Sequence, residues 1–280
     1  VPPPNDVGRR RLRLVARVDS GGTDPEPAYG YVLHDGTSTT PTQSPLLPGP
    51  TIVLKRGEPV SITVVNELPE ATAVHWHGIE LESYFDGVAG FSGGPGKVSP
   101  AIAPRDSFEA RFTPPRAGTF IYHPHADEVR QQEAGLSGAL VVLDDPAAYD
   151  PVHDIVLLMT TPRHAADRGG TVFLNGTNTP QPLDMRVGQR YRLRLVDIHT
   201  FRPSMVARLM RDSTLLEWRA LAKDGRDLPP DQATMRPALQ QSGNGETYDF
   251  EFTPTAPGDL RFTMSSAVGV RLVSMPIRVR

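Results

Sequence analysis

The chain has 280 residues, 29 basic and 32 acidic side chains for a formal charge of −3, and no cysteine. The balanced charge leaves no electrostatic footprint for nucleic acid or an anionic membrane surface, and no apolar run approaches the ~18 residues that a membrane-spanning helix needs. Without cysteine there can be no disulfide, no thiolate nucleophile and no blue copper centre within the chain, while the redox compartment stays open.

The length suits two domains of ordinary size. The 29 prolines and 25 glycines punctuate the sequence every few residues, and long helical periodicities are missing. That pattern predicts short strands in an all-β sandwich or barrel. The opening Val1-Pro2-Pro3-Pro4-Asn5-Asp6 reads as linker, and a start at Val1 suggests trimming. Arg9-Arg10-Arg11 reads as the solvated edge of a first strand, in which Leu12, Leu14, Ala16 and Val18 alternate with mostly polar residues. Residues 19–49 read as loop. Thr51 to Leu54 and Val60 to Asn66 read as strands flanking a turn at Arg56-Gly57-Glu58.

The next strand carries His75-Trp76-His77-Gly78. Gly87 to Pro104 follows as a flexible connector; its Gly96-Lys97 is no phosphate loop, since Phe91 and Val98 stand where Gly and Ser or Thr are required. Ser107 to Phe112 resumes a strand, Pro114 to Gly118 turns it, and Thr119 to His125 returns with Tyr122-His123-Pro124-His125. Ala126 to Glu133 is long enough for two helical turns and stops at Gly135. Leu140 to Leu143 reads as a buried strand.

In a strand, side chains alternate between faces, so each His-x-His places two imidazoles on one side and the middle residue on the other. Four of the eight histidines fall in these two pairs. Imidazole suits copper, zinc, iron and nickel, and copper binds nitrogen sites most tightly among the divalent ions. His75, His77, His123 and His125 are therefore the candidate metal ligands, with copper favoured and zinc possible. Trp76, on the opposite face, is expected in the core. Glu80, Glu82, Asp127 and Glu128 read as exposed loop charges. Met205, Met210 and Met264 read as core or surface residues, since no methionine-rich segment exists.

After about Asp150 the pattern repeats. Leu54-Lys55-Arg56-Gly57-Glu58-Pro59-Val60 returns in type as Met185-Arg186-Val187-Gly188-Gln189-Arg190-Tyr191, and Phe112 to Gly118 returns as Phe252 to Gly258. The chain therefore divides into 1–148 and 149–280. Equal steps from the second anchor match Tyr122 to Phe262, His123 to Thr263 and His125 to Ser265, and Met205 to Arg211 also holds no histidine. The first copy keeps ligands and the second only the scaffold.

Pro45 to Pro50, His75-Trp76-His77-Gly78, Phe112 to Thr119, His123-Pro124-His125 and Gly135-Leu136-Ser137-Gly138-Ala139-Leu140 together resemble the first cupredoxin domain of the multicopper oxidases, the laccase-like family, over roughly Pro45 to Pro146. The second half, with Phe173 to Gly176, Arg192 to Leu195 and Gly245 to Asp249, is more weakly similar to a non-ligating cupredoxin domain of the same proteins. The resemblance implies two cupredoxin-like Greek-key β-sandwich domains and a trinuclear copper cluster at a domain interface, where dioxygen is reduced to water. It implies that His75 ligates the type 2 copper, that His77, His123 and His125 ligate the type 3 pair, and that Asp86 is the acidic residue beside the cluster. Asp86-Gly87 also reads simply as a turn.

The family's His-Pro-x-His-x-His and His-Cys-His motifs, which carry the other cluster ligands and the type 1 site, are absent, and His34, His153, His164 and His199 stand singly. The chain alone is thus not expected to turn over. Its expected partner is a further cupredoxin domain or chain supplying those ligands, or another copy of itself. The alternatives are a copper-binding module without turnover and a structural interaction domain. The resemblance also implies a periplasmic or secreted setting.

Overall fold

The computed structural model describes residues 8–20, 27–35, 44–161, 172–201 and 204–280; the opening 1–6 and His164 lie outside the described residues. The regular structure is nearly all β, and the chain divides into two compact units, Val1–Ala147 and Ala148–Arg280.

In the first unit the strands are β1 (Arg10–Asp19), β2 (Ala28–Asp35), β3 (Ile52–Lys55), β4 (Val60–Asn66), β5 (Val74–His77), β6 (Gly93–Gly94), β7 (Lys97–Val98), β8 (Ser107–Phe112), β9 (Gly118–Pro124) and β10 (Gly138–Leu143), with one short α-helix among the described residues, α1 (Glu128–Glu133). They form two four-stranded sheets, β2-β1-β4-β8 and β3-β10-β9-β5, and the small pair β6-β7. The chain passes from one sheet to the other and back between β3, β4 and β5. Period-two alternation sends Leu12, Leu14 and Ala16 of β1 and Ile62 and Val64 of β4 into one core with Leu54, Trp76, Phe120, Tyr122, Leu140 and Val142 of the other sheet. Two sheets sharing a core make a sandwich, and each buried Leu, Ile, Val or Phe among them contributes roughly 1.5–3 kcal/mol by leaving water.

Two sequence expectations are corrected here. Within 19–49, Ala28–Asp35 is a full strand, paired with β1 from Asp19↔Ala28 to Leu12↔Asp35. Its residues from Ala28 to Val32 are all buried, so the strand lacks the alternation that reveals a half-exposed one. The span from Gly87 to Pro104 is a hydrogen-bonded loop rather than a flexible connector. Ser99 N–H donates to Ser92 O at 2.7 Å and Gly90 N–H to Ser99 O at 2.9 Å, with Ser92 and Ser99 buried.

The second unit comprises β11 (Asp154–Thr160), β12 (Phe173–Leu174), β13 (Leu183–Met185), β14 (Tyr191–Asp197), β15 (Met205–Arg211), β16 (Thr214–Leu215), β17 (Glu217–Lys223), β18 (Arg226–Asp227), β19 (Met235–Pro237), β20 (Leu239–Ser242), β21 (Thr247–Phe252), β22 (Gly258–Ser266) and β23 (Arg271–Val279). It repeats the plan of the first. β11 and β14 pair in parallel as β1 and β4 do, and β14 pairs antiparallel with β21 as β4 does with β8. β13 and β23 pair in parallel as β3 and β10 do, and β22 lies between β23 and β15 as β9 lies between β10 and β5. The repeated turns agree bond for bond: Gly57 N–H donates to Pro114 O, and Gly188 N–H to Pro254 O, both at 2.8 Å.

The second unit also buries charge, on the sheet face opposite the side that Leu193, Leu195, Phe250 and Phe252 send into its core. Arg194 and Asp249, each 1% exposed in the side chain, lie 3.1 Å apart, and Arg194 also reaches Asp154 at 2.5 Å. Burial works against the Arg194 cation, but the Asp154 hydrogen bond and the charges of Asp249 and Asp154 outweigh it and hold its pKa above the ordinary value.

Candidate metal centre

β5 is the outer strand of its sheet, and its Val-His-Trp-His alternates buried and half-buried. Val74 and Trp76 enter the core, where the Trp76 ring packs 5.6 Å from Phe112 and 6.3 Å from Tyr122. His75 and His77 take the other face. Across the ladder His75 stands opposite His123 and Trp76 opposite Tyr122, while His125 N–H donates to Ala73 O at 3.1 Å. The alternation of both strands therefore brings all four histidines to one face of the sheet.

The His75 ring centroid lies 5.4 Å from His77, 5.3 Å from His123 and 5.5 Å from His125. Nitrogen atoms of His75, His77 and His123 lie within 4.8 Å of one another, and His123 Nε2 comes within 3.4 Å of His77 Nδ1. His125 shares the face but not this group of three; its Nε2 lies 3.5 Å from Glu128 Oε2. His34 on β2, His153 beside Asp150 and His199 beside Asp197 stay outside the cluster.

The electrostatics suit a cation. Burial first, then the neighbouring His75 and His77, push the His123 imidazole down to about 3, so at neutral pH it is uncharged and holds a lone pair. His75 behaves oppositely. Burial alone would lower it, but the side-chain and backbone hydrogen bonds to Asp86, with the charges of Asp86 and Glu128, carry it above the ordinary value. His75 Nδ1 lies 2.9 Å from Asp86 O and 3.3 Å from Asp86 Oδ1, leaving Nε2 as its open edge. Ser92 Oγ donates to Asp86 Oδ2 at 2.9 Å. Burial raises the Asp86 carboxyl, but its bonds to His75 and Ser92 and the nearby His125 hold it below its usual range. Converging imidazoles, with His123 neutral and His75 backed by a carboxylate, fit a borderline metal such as copper.

Local sequence explains the placement. Gly87 sits at φ +84°, and a Cβ there would lie 1.8 Å from Val74 O. Only glycine lets Asp86 approach β5 this closely. On the other strand, Tyr122 Oη donates to Pro50 O at 2.6 Å, its ring lying where a Cβ on residue 138 would fall. Behind β9, α1 is tied down by Thr72 Oγ–H donating to Gln131 Oε1 at 2.7 Å and Gln131 Nε2–H to Ala71 O at 2.8 Å.

Sequence reasoning missed Glu128 and Gln132. Glu128 is no detached loop charge, since its carboxylate faces His125 and lies 3.7 Å from His123 Nδ1. Gln132 Nε2 stands 3.0 Å from that same nitrogen. Their i, i+4 spacing on the predicted helical stretch was the available signal. Glu80 instead pairs with Arg116, and Asp127 with Arg130.

The second unit shows what the same scaffold carries without ligands. Leu209 faces Phe262 and Arg208 faces Thr263 across β15 and β22, as Trp76 faces Tyr122 and His75 faces His123. Arg208, Met210, Thr263 and Ser265 thus occupy the positions of His75, His77, His123 and His125. Arg208 donates a hydrogen bond to Ser265 Oγ.

Fold and cluster together define a cupredoxin-type β-sandwich protein with a histidine face. The multicopper oxidase family model matches residues 30–147. The first unit thus resembles the multicopper oxidases, a family that binds copper. Copper resistance protein A of Escherichia coli is 36% identical over 114 residues, 40% of this chain and 18% of that protein. The multicopper oxidase mco of Staphylococcus aureus is 33% identical over 170 residues, 53% of this chain and 35% of that protein. The matches thus span about a fifth to a third of these relatives. Among solved structures, a multi-copper oxidase from Pseudomonas Thermotolerans superposes with TM-score 0.72 over 96% of this chain and 64% of that one at 23% identity, a likeness of fold. No helix among the described residues is long and apolar enough to cross a membrane.

Proposed function

We propose that the first unit supplies half of the interfacial copper cluster of a multicopper oxidase, with the remaining histidines and the type 1 site coming from a further cupredoxin domain, another chain or a second copy, in a periplasmic or secreted setting. The observation that carries this reading is the convergence of His75, His77 and His123, nitrogens within 4.8 Å, on one strand face. His75, His77, His123 and His125 would hold the metal. Copper held there with its remaining ligands would supply the electron-transfer chemistry for reducing dioxygen to water.

The protein's own groups have distinct parts. His123 enters as a neutral donor because its burial and neighbours keep protons off it. Asp86 fixes the His75 ring through Nδ1 and, as a carboxylate held below its usual range beside the cluster, can pass a proton on rather than store one. The reducing substrate belongs to the type 1 site, which a chain without cysteine does not build. That same absence favours the second reading, a copper-binding module without turnover.

The test is metal analysis and chelator competition on the purified chain. Uptake of copper that disappears in His77→Ala/His123→Ala, with the melting temperature of the metal-free protein nearly unchanged, supports the site. A chain that takes up no copper at equimolar concentration leaves a structural interaction domain instead. Oxygen consumption on adding a partner that carries the missing motifs separates the oxidase from the silent module.

A further inference from the structure

We propose that Gln132 and Glu128 form a positioning pair that sets the two histidines of β9 for metal: Gln132 fixes the His123 ring, and Glu128 holds His125. The inference rests on the metal reading above and extends it to residues outside the ligand set.

Gln132 and Glu128 stand one helical turn apart on α1, on the same side. Gln132 Nε2–H donates to Glu128 Oε1 at 3.1 Å and lies 3.0 Å from His123 Nδ1, with Pro124 O at 3.0 Å on that same nitrogen. With Nε2 open for metal, Nδ1 carries the ring proton and donates it to Pro124 O, while the Gln132 amide packs against that edge. The open Nε2 edge faces His77. Glu128 spans both rings of the strand, 3.7 Å from His123 Nδ1 and 3.5 Å from His125 Nε2.

Packing alone does not account for this arrangement. Gln132 is 5% exposed, yet its Oε1 has no hydrogen-bond partner. A buried amide usually satisfies both ends, and one that does not calls for an explanation. Here the nitrogen is spent on the Glu128 carboxylate, which keeps the amide against the Nδ1 edge of the ring. The helix carrying the pair has six residues, too few to be stable alone. Gln131 bonds it to Thr72 and Ala71, just before β5, and Arg130 bonds it to Glu70. The helix is thus fastened to the stretch that leads into one ligand strand while it orients the ligands of the other.

The experiment measures Cu(II) affinity by chelator competition, the Cu(II) electron paramagnetic resonance spectrum and metal-free melting on the full chain, unmutated and as Gln132→Leu and Glu128→Gln. Gln132→Leu is expected to bind Cu(II) about 10–100-fold more weakly with an altered spectrum, the melting temperature holding. Glu128→Gln, at a half-exposed position where folding is not at stake, is expected to lose less than about 10-fold and to shift the spectrum as well. If the unmutated chain binds Cu(II) and folded Gln132→Leu matches it in affinity and spectrum, the proposal falls while the site stands. Should Gln132→Leu not fold, an unchanged affinity and spectrum in Glu128→Gln overturns it. If the unmutated chain binds none, the site reading itself falls.

Discussion

Asp86 grips His75 twice through one ring nitrogen: its carbonyl oxygen is 2.9 Å and its carboxylate 3.3 Å from Nδ1. The backbone contact survives a side-chain substitution and the carboxylate contact does not. Asp86→Ala should therefore leave His75 in place but less basic, lowering Cu(II) affinity about 10-fold or more. Asp86→Asn should keep the contact with Ser92 and lose less. Competition titrations of both variants check the order.

Gly87→Ala should act through the backbone. Its Cβ would meet Val74 O at 1.8 Å in a φ +84° conformation that L residues rarely adopt, so β5 or the loop must move. A loss of about 2 kcal/mol or more in urea unfolding is expected, with weakened copper binding from displaced His75. An unchanged midpoint would show that the loop yields freely.

The metal-free protein should be most stable near the ordinary histidine pKa. His123, depressed to about 3 when folded, contributes stability that is full above its unfolded value of about 6.5 and is lost as pH falls toward 3, at about 1.4 kcal/mol per pH unit. His75, raised when folded, contributes stability that is full below about 6.5 and is lost as pH rises through its folded value. Denaturation series followed at Trp76, buried beside the site, check this. His123→Asn should flatten the acid limb alone.

Arg194→Ala should remove one of the two guanidiniums on buried Asp249, with Arg192 staying 2.5 Å away, and destabilise the second unit by about 1.5–3 kcal/mol. Copper uptake, a property of the first unit, should persist. Fluorescence of Trp218, stacked 3.9 Å from Phe250, reports that unit's unfolding.

Much of this was legible because the information was local. His-x-His in a strand is two ligands on one face whatever else surrounds it, and Gly57 and Gly188 announced the repeat through a turn that only one hydrogen-bond pattern closes. β2 was not legible, because Ala28 to Val32 is buried throughout and Gly30, which admits Leu46 O at a distance no Cβ would allow, looked like a loop residue. The hairpin at Gly93 to Val98 was hidden among glycines for the same reason. Glu128 and Gln132 acquire their meaning only once Gln131 docks the helix against Thr72, a contact 59 residues apart in sequence.

The substitution of Arg208, Met210, Thr263 and Ser265 at the four histidine positions has a broader implication. Because chemistry and packing occupy opposite sides of the same ribbons, Leu209 and Phe262 can go on filling an interior while their immediate neighbours change trade altogether. A duplicated sandwich is thus free to lose a reactive surface in one copy without endangering the body that bears it.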